Sequence, residues 1–322
     1  MKARVAALIL AVCPGFGQVP AVRGPVLGYV YDSAGLRPVF GMPGAAVLGQ
    51  PLNLGGPIAQ AAVSPRQDLA LAVASSDSTV LVVNLPSGSA TACECAPGPD
   101  RIVFSPGGDA AALYYSAGSS VRILKGTHAK SAGVFELSLL NGKLTALSVS
   151  DAGEVLAAFS EDDGSSGSAY FLSPGSAPRP VLSLRHASAA AFMPGSTDAI
   201  LADDLDNRIY VVRDPGGAAA VTVVATASDG IDGPVAVRAA GNSRALTANS
   251  HSGTITITDL TGGGSSAIEC GCTPSQIEPL SSSVYRLTTA PGPIRLLEGD
   301  GPGARVAFIP PDSPAPAKAD RP

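Results

Sequence analysis

The chain has 322 residues, 45% of them hydrophobic and 15% charged, with a net charge of −5. That apolar fraction is ample for a core and excludes a wholly disordered chain. The acidic balance excludes a nucleic-acid surface, which needs a basic stripe to neutralise phosphates; Lys125, Lys130, Arg179 and Arg185 are too sparse to form one. There is no Trp, and 8 Phe and 7 Tyr are few for a sugar site built on aromatic platforms. The 37 Gly and 28 Pro make about a fifth of the chain, against roughly an eighth on average, and they punctuate apolar runs as turns do.

The N-terminus reads as an export signal. Met1-Lys2-Ala3-Arg4 is a short basic region, residues 5–12 are an apolar stretch too short to span a bilayer, and Gly15-Phe16-Gly17-Gln18 breaks it. A signal peptide is expected over 1–18, with cleavage near Gln18 or Ala21; the other reading is a buried first strand. Leu10-Ala11-Val12-Cys13 resembles a lipobox, but Val12 stands where a small residue is required, so lipid anchoring through Cys13 is not expected. No later segment approaches the roughly 20 apolar residues of a membrane span. A secreted or periplasmic location follows.

A hairpin comes next, residues 26–31 and 36–41, and then a repeat. Its phrase is a pair of small or apolar residues, a Ser-Pro-like corner, a Gly/Asp turn and a second apolar run. It appears as Ala62-Val63-Ser64-Pro65-Arg66-Gln67-Asp68, as Val103-Phe104-Ser105-Pro106-Gly107-Gly108-Asp109, and more loosely at Ser150, Met193, Ala239 and Leu280. The spacing is about 41 to 46 residues, the period of a four-stranded propeller blade. Each unit continues with a period-2, β-branched run such as Arg208-Ile209-Tyr210-Val211-Val212 or Thr254-Ile255-Thr256-Ile257-Thr258. A single such sheet cannot bury both faces, whereas a closed ring of sheets can. The expected fold is all-β: a β-propeller of four-stranded antiparallel blades over residues 24–310, with six full units over 57–310. The N-terminal hairpin forms the outer half of a further blade. Seven blades, one incomplete, is preferred, and six is the alternative. Residues 311–322 are Pro/Ala-rich and expected to be disordered.

Ala199-Ile200-Leu201-Ala202-Asp203 with Asn207-Arg208-Ile209-Tyr210-Val211-Val212, and the matching run from Ala245 to Asp259, resemble YVTN-type propeller repeats. Phe104-Ser105-Pro106-Gly107-Gly108 resembles the corner of WD-like and TolB-like repeats, without their Gly-His and Trp-Asp signatures. The resemblance covers most of 57–310. It implies the fold of exported bacterial propellers and carries no single function, because propellers host many.

Four cysteines form two repeat-equivalent pairs, Cys93-Glu94-Cys95 and Cys270-Gly271-Cys272, each after an outer strand and before a Pro. Oxidised pairs are the default outside the cytoplasm. A ring of six or seven units keeps the pairs at least two units apart, beyond the about 7 Å between Cα atoms that a bridge tolerates, so a local disulfide within each pair is expected. A bend is needed there, which Gly271 eases. A four-thiolate metal site, usually built on Cys-x2-Cys, and a redox Cys-x-Cys are the alternatives. The acidic turns Glu161-Asp162-Asp163-Gly164 and Asp203-Asp204-Leu205-Asp206-Asn207 read as solvated hairpin turns; Ca²⁺ binding is the other reading. His128, His186 and His251 belong to different units, with no partner at ligand spacing. No nucleophile elbow or phosphate loop occurs, so no catalytic residue is nominated and no cofactor is expected. Inner runs such as Ala189-Ala190-Ala191-Phe192 are small and apolar. The reading is a monomeric, non-catalytic module that binds protein partners outside the cytoplasm. The alternative, implied by the blade resemblance, is a lactonase-like or quinoprotein-like enzyme with a ligand or metal in its channel.

Overall fold

The computed structural model describes residues 24–126, 128–262, 264–288 and 292–311. The signal-peptide expectation, Cys13 and the tail from residue 312 fall outside them.

Seven antiparallel sheets follow one another along the chain, each built from consecutive strands. Blade 1 holds β1 (Val26–Asp32), β2 (Gly35–Phe40) and β3 (Val47–Leu48). Blade 2 holds β4 (Ile58–Val63), β5 (Leu69–Ala74), β6 (Val80–Asn84) and β7 (Ser89–Ala92). Blade 3 holds β8 (Arg101–Phe104), β9 (Ala110–Tyr115), β10 (Ser120–Lys125) and β11 (Lys130–Glu136). Blade 4 holds β12 (Lys143–Val149), β13 (Val155–Ser160), β14 (Gly167–Leu172) and β15 (Arg179–Leu184). Blade 5 holds β16 (Ala187–Phe192), β17 (Ala199–Asp203), β18 (Arg208–Arg213) and β19 (Ala220–Ala225). Blade 6 holds β20 (Pro234–Ala240), β21 (Arg244–Asn249), β22 (Thr254–Asp259) and β23 (Gly264–Glu269). Blade 7 holds β24 (Glu278–Ser281), β25 (Val284–Arg286), β26 (Ile294–Glu298) and β27 (Arg305–Ile309). This is a seven-bladed β-propeller with one incomplete blade.

Each sheet is covered on both faces by its neighbours, so the middle strands are buried throughout. In β5 and β17 every residue but Ala74 is buried, and in β22 even Thr256 and Thr258 are. Those hydroxyls are tolerated because they find partners: Asn249 Nδ2 donates to Thr256 Oγ1 at 2.8 Å, and Thr256 Oγ1 donates to Gly230 O at 3.0 Å. Outer strands such as β19 and β23 face solvent and tolerate small or polar residues. Side chains also stitch blade to blade. Gly107 N donates to Asp151 Oδ1 at 2.8 Å, Phe192 N to Ser148 Oγ at 3.1 Å, and Gly233 N to Asn207 Oδ1 at 2.8 Å.

Among the described residues, blade 1 has no innermost strand. Tyr29 Oη donates to Leu85 O, which lies beside the start of β5, and Tyr31 Oη donates to Ile58 O, which lies beside its end. β1 therefore runs in the same sense as β5 and takes the second position of its blade, with β2 third, so the hairpin belongs to the further blade but lies one strand further in than the outer half that was expected. The short β3, only two residues long, is an addition that periodicity could not show.

The edge of β1 that an inner strand would pair is capped by side chains. Strand alternation turns the Tyr29 and Tyr31 peptide groups to that one edge. Tyr29 N donates to Gln67 Oε1 at 2.6 Å, and Gln67 Nε2 donates onward to Pro279 O of β24 at 2.7 Å. Tyr31 O accepts from Arg286 Nη1 at 2.8 Å. One carboxamide thus stands in for a peptide unit of the missing strand and joins blades 1, 2 and 7. Its position is strained. Gln67 has φ 59° where the aligned corners carry Gly108 at φ 75° and Gly153 at φ 85°. A left-handed conformation costs a non-glycine residue about 1–2 kcal/mol. Gly28 of β1 completes the junction: a Cβ there would lie 2.6 Å from Leu280 O and 3.0 Å from Gln67 Oε1.

Three substitutions test this closure by denaturation. Gly28→Ala forces backbone apart and is expected to cost about 1–3 kcal/mol. Gln67→Ala keeps the strain and strands a buried N–H, for a loss of about 1–3 kcal/mol. Gln67→Gly relieves the strain but still loses the bridge, so it should fall between Gln67→Ala and the unaltered protein. A Gln67→Gly variant more stable than the unaltered protein would show that the carboxamide contributes nothing.

Candidate functional site: the central channel

The innermost strands of blades 2 to 7 surround a chamber of about 200 Å³ on the propeller axis, and blade 1 contributes no lining residue. Most of its lining side chains are apolar, from Ile102, Val103 and Phe104 on β8, Leu147 on β12, Ala190, Ala191 and Phe192 on β16 and Val237 and Ala239 on β20. The sequence reading of an apolar channel is correct for this wall and incomplete for the remainder. Two charged residues also line the chamber, Arg238 on β20 and Glu278 on β24.

Their surroundings decide what they can do. Glu278 pairs across the sheet with Arg286, whose Nη1 lies 3.7 Å from Glu278 Oε2. Arg286 is 4% exposed and is otherwise held by carbonyls, its Nε donating to Thr288 O at 2.7 Å and its Nη1 to Tyr31 O. Half of the Glu278 side chain (53%) is open to solvent, and it faces a partly open chamber. Desolvation there raises the Glu278 pKa, and the Arg286 and Arg238 charges offset it only in part. The opening keeps the shift smaller than full burial would give. Burial also lowers the pKa of Arg238, against the attraction of Tyr285 and Glu278. Arg101, at the start of β8, is turned aside to donate to Thr145 O at 3.1 Å. Neither Arg238 nor Glu278 belongs to a motif. The available signal was a charge at an aligned position, since Arg238 stands where the corner phrases carry Val63, Phe104 and Phe192.

The residues singled out from sequence lie elsewhere. Cys93 and Cys95 follow β7, with Cα atoms 5.3 Å apart; Cys270 and Cys272 follow β23, with Cα atoms 5.0 Å apart. Both separations are within the range a disulfide spans. Gly271 makes the expected bend at φ 59°. The acidic turns of blades 4 and 5 do meet, lining a cleft of about 380 Å³ with Glu161, Asp162, Asp163, His186 and Asp204. Their oxygens serve the turns themselves. Asp203 Oδ1 accepts from Leu205 N and Asp206 N, both at 3.0 Å, and its Oδ2 accepts from Arg185 N at 2.9 Å. Asp163 Oδ1 accepts from Ser165 N at 2.8 Å, and Asp204 Oδ1 lies 2.6 Å from His186 Nδ1. His251 Nδ1 lies 3.5 Å from Asp232 Oδ1. Among the described residues no group of three or more His, Cys, Asp or Glu is placed to hold a metal ion. No helix among them is long and apolar enough to cross a membrane.

The sequence matches no family model and no curated protein. Solved structures do share the fold. Streptogramin B lyase aligns at TM-score 0.58 and 12% identity, over 81% of this chain and 87% of its own. The calcium-binding protein regucalcin from Agrobacterium tumefaciens aligns at TM-score 0.51 and 14% identity, over 83% and 87%. YCF48 from Cyanidioschyzon merolae aligns at TM-score 0.50 and 13% identity, over 90% and 97%. At such identities the likeness is one of fold.

The raised pKa of Glu278 has a signed consequence. The folded state holds this proton more tightly than the unfolded chain, so the group's contribution is fully favourable below the ordinary carboxylate pKa. It is lost as pH rises through the raised value. Glu278→Gln removes the charge. Its stability relative to the unaltered protein should therefore increase from about pH 4 to about pH 8, which brackets the carboxylate range. A relative loss over that interval, measured by denaturant titration, would show that ion pairing with Arg286 outweighs desolvation.

Proposed function

We propose that the chain is an exported, non-catalytic propeller that binds a protein partner outside the cytoplasm. The observation that carries this reading is an apolar recess at the rim of blades 1 and 7. Because β3 is two residues long, the flank of β27 is left uncovered. A recess of about 560 Å³ opens there, lined by Ala45, Ala46, Val47, Val306, Ala307 and Phe308 among others. Val47 is 57% exposed and Phe308 54%, and Met42 nearby is 66% exposed. The Arg305 Nε to Glu298 Oε2 ion pair, at 2.6 Å, borders the recess, and Arg295 lies 5.4 Å over the Phe308 ring. Exposed large apolar side chains beside charged ones are the anatomy of a protein interface. The solved neighbours include a lyase and a calcium-binding protein, so the shared ring gives no single role, and it is this chain's own surface that favours a protein partner.

Export is supported by the N-terminal sequence and by the geometry of both Cys-x-Cys pairs, which on this reading are oxidised. The test uses tagged full-length chain recovered from the medium or envelope of an exporting host. A protein partner should co-purify repeatedly and be lost with Val47→Asp/Phe308→Asp. These exposed changes should alter stability by no more than about 0.5 kcal/mol. In the same material a thiol-specific label should reach Cys93, Cys95, Cys270 and Cys272 only after reduction. Retention within the cell with free thiols, or a partner indifferent to the double substitution, would defeat the reading.

A further inference from the structure

We propose that the axial chamber is a binding site for a small organic carboxylate, held by Arg238. The site is distinct from the rim recess and does not depend on it.

Glu278 is neighboured by Arg286, and Arg286 is committed to Thr288 O, Tyr31 O and that carboxylate. Arg238 is left over. Arg238 lines the chamber, its guanidinium makes no hydrogen bond to a described residue, and Tyr285 and Glu278 attract it only from longer range. A guanidinium carries five N–H donors and stays charged, so a half-buried one with no protein acceptor is a ready anchor for an anion that enters the chamber. With two guanidinium groups and one carboxylate, the cluster carries an excess positive charge.

The rest of the wall limits what that acceptor can be. A metal cation is repelled by the excess charge. The wall also holds Ile102, Val103, Phe104, Leu147 and Phe192, which offer dispersion contact and no hydrogen bonds from their side chains. The complement is a monoanion with an apolar body. A carboxylate matches the planar guanidinium fork with two parallel hydrogen bonds. A phosphate dianion would bring more charge close to Glu278 and leave the apolar wall without a partner.

Calorimetric titration with sodium benzoate, benzamide and inorganic phosphate, at matched ionic strength, separates these chemistries. Benzoate should bind in the millimolar range or tighter, at least about tenfold better than benzamide, and Arg238→Met should lose at least about tenfold in benzoate affinity. Because Arg238→Met could disturb the ring, the unaltered protein provides an independent reading: benzoate should shift the Arg238 Nε–Hε resonance. Absence of benzoate binding, equal binding of benzamide, equal binding by a folded Arg238→Met variant, or an unmoved Arg238 resonance would each overturn the proposal. Phosphate binding in place of benzoate would overturn its organic half.

Discussion

A ring of sheets is stable only if the last sheet meets the first without leaving unpaired backbone between them. Here the meeting point has no innermost strand among the described residues, and the Gln67 carboxamide takes the place of one of its peptide units, accepting from Tyr29 N and donating to Pro279 O. The chain holds that residue in a left-handed conformation that the equivalent corners give to glycine. Strain of this kind persists only where the surroundings require it. The requirement is visible: a glycine would suit the turn and could not reach across the junction. Gly28 makes the opposite compromise on the facing strand, giving up a side chain so that blade 7 can close in.

The chemistry of the channel follows from the same gap. Where an inner strand is missing, its hydrogen-bonding duties pass to side chains, and the longest donor available is arginine. Arg286 caps Tyr31 O and brings Glu278 with it. Nearby, Arg37 donates from Nε to Gly49 O at 2.7 Å and lies 3.4 Å from Asp32 Oδ2. Buried charges therefore gather at the seam of the ring, while β8, β12 and β16 present an apolar wall to the chamber. Arg238, one blade away, faces this cluster. The asymmetry of the channel, charged on one side and apolar on the other, is thus a by-product of how the ring closes.

Much of the architecture was legible in the sequence because blades repeat. The corner phrase and its period depend on local turn chemistry, which each unit solves independently. The N-terminal hairpin was identifiable as part of a further blade because its apolar strands and Asp-containing turn resemble the end of the last unit, whereas its place in the blade was not. What stayed hidden was non-periodic. β3 pairs over two residues and leaves no pattern. Gln67 looked like one more polar turn residue, although a Gln aligned with Gly108 was a usable sign of strain. Arg238 and Glu278 acquire meaning only when strands 40 residues apart are brought to one axis, and the cysteines and acidic turns drew attention because their spacing is local.

Amide hydrogen exchange at Tyr29 tests the closure most directly. The account predicts that the Tyr29 amide is protected in the unaltered protein. In Gln67→Ala it should exchange much faster, while Gly28 and Val30, whose amides face β2, keep their protection. If Tyr29 stays equally protected in Gln67→Ala, another group occupies that edge, and the carboxamide is not what closes the ring.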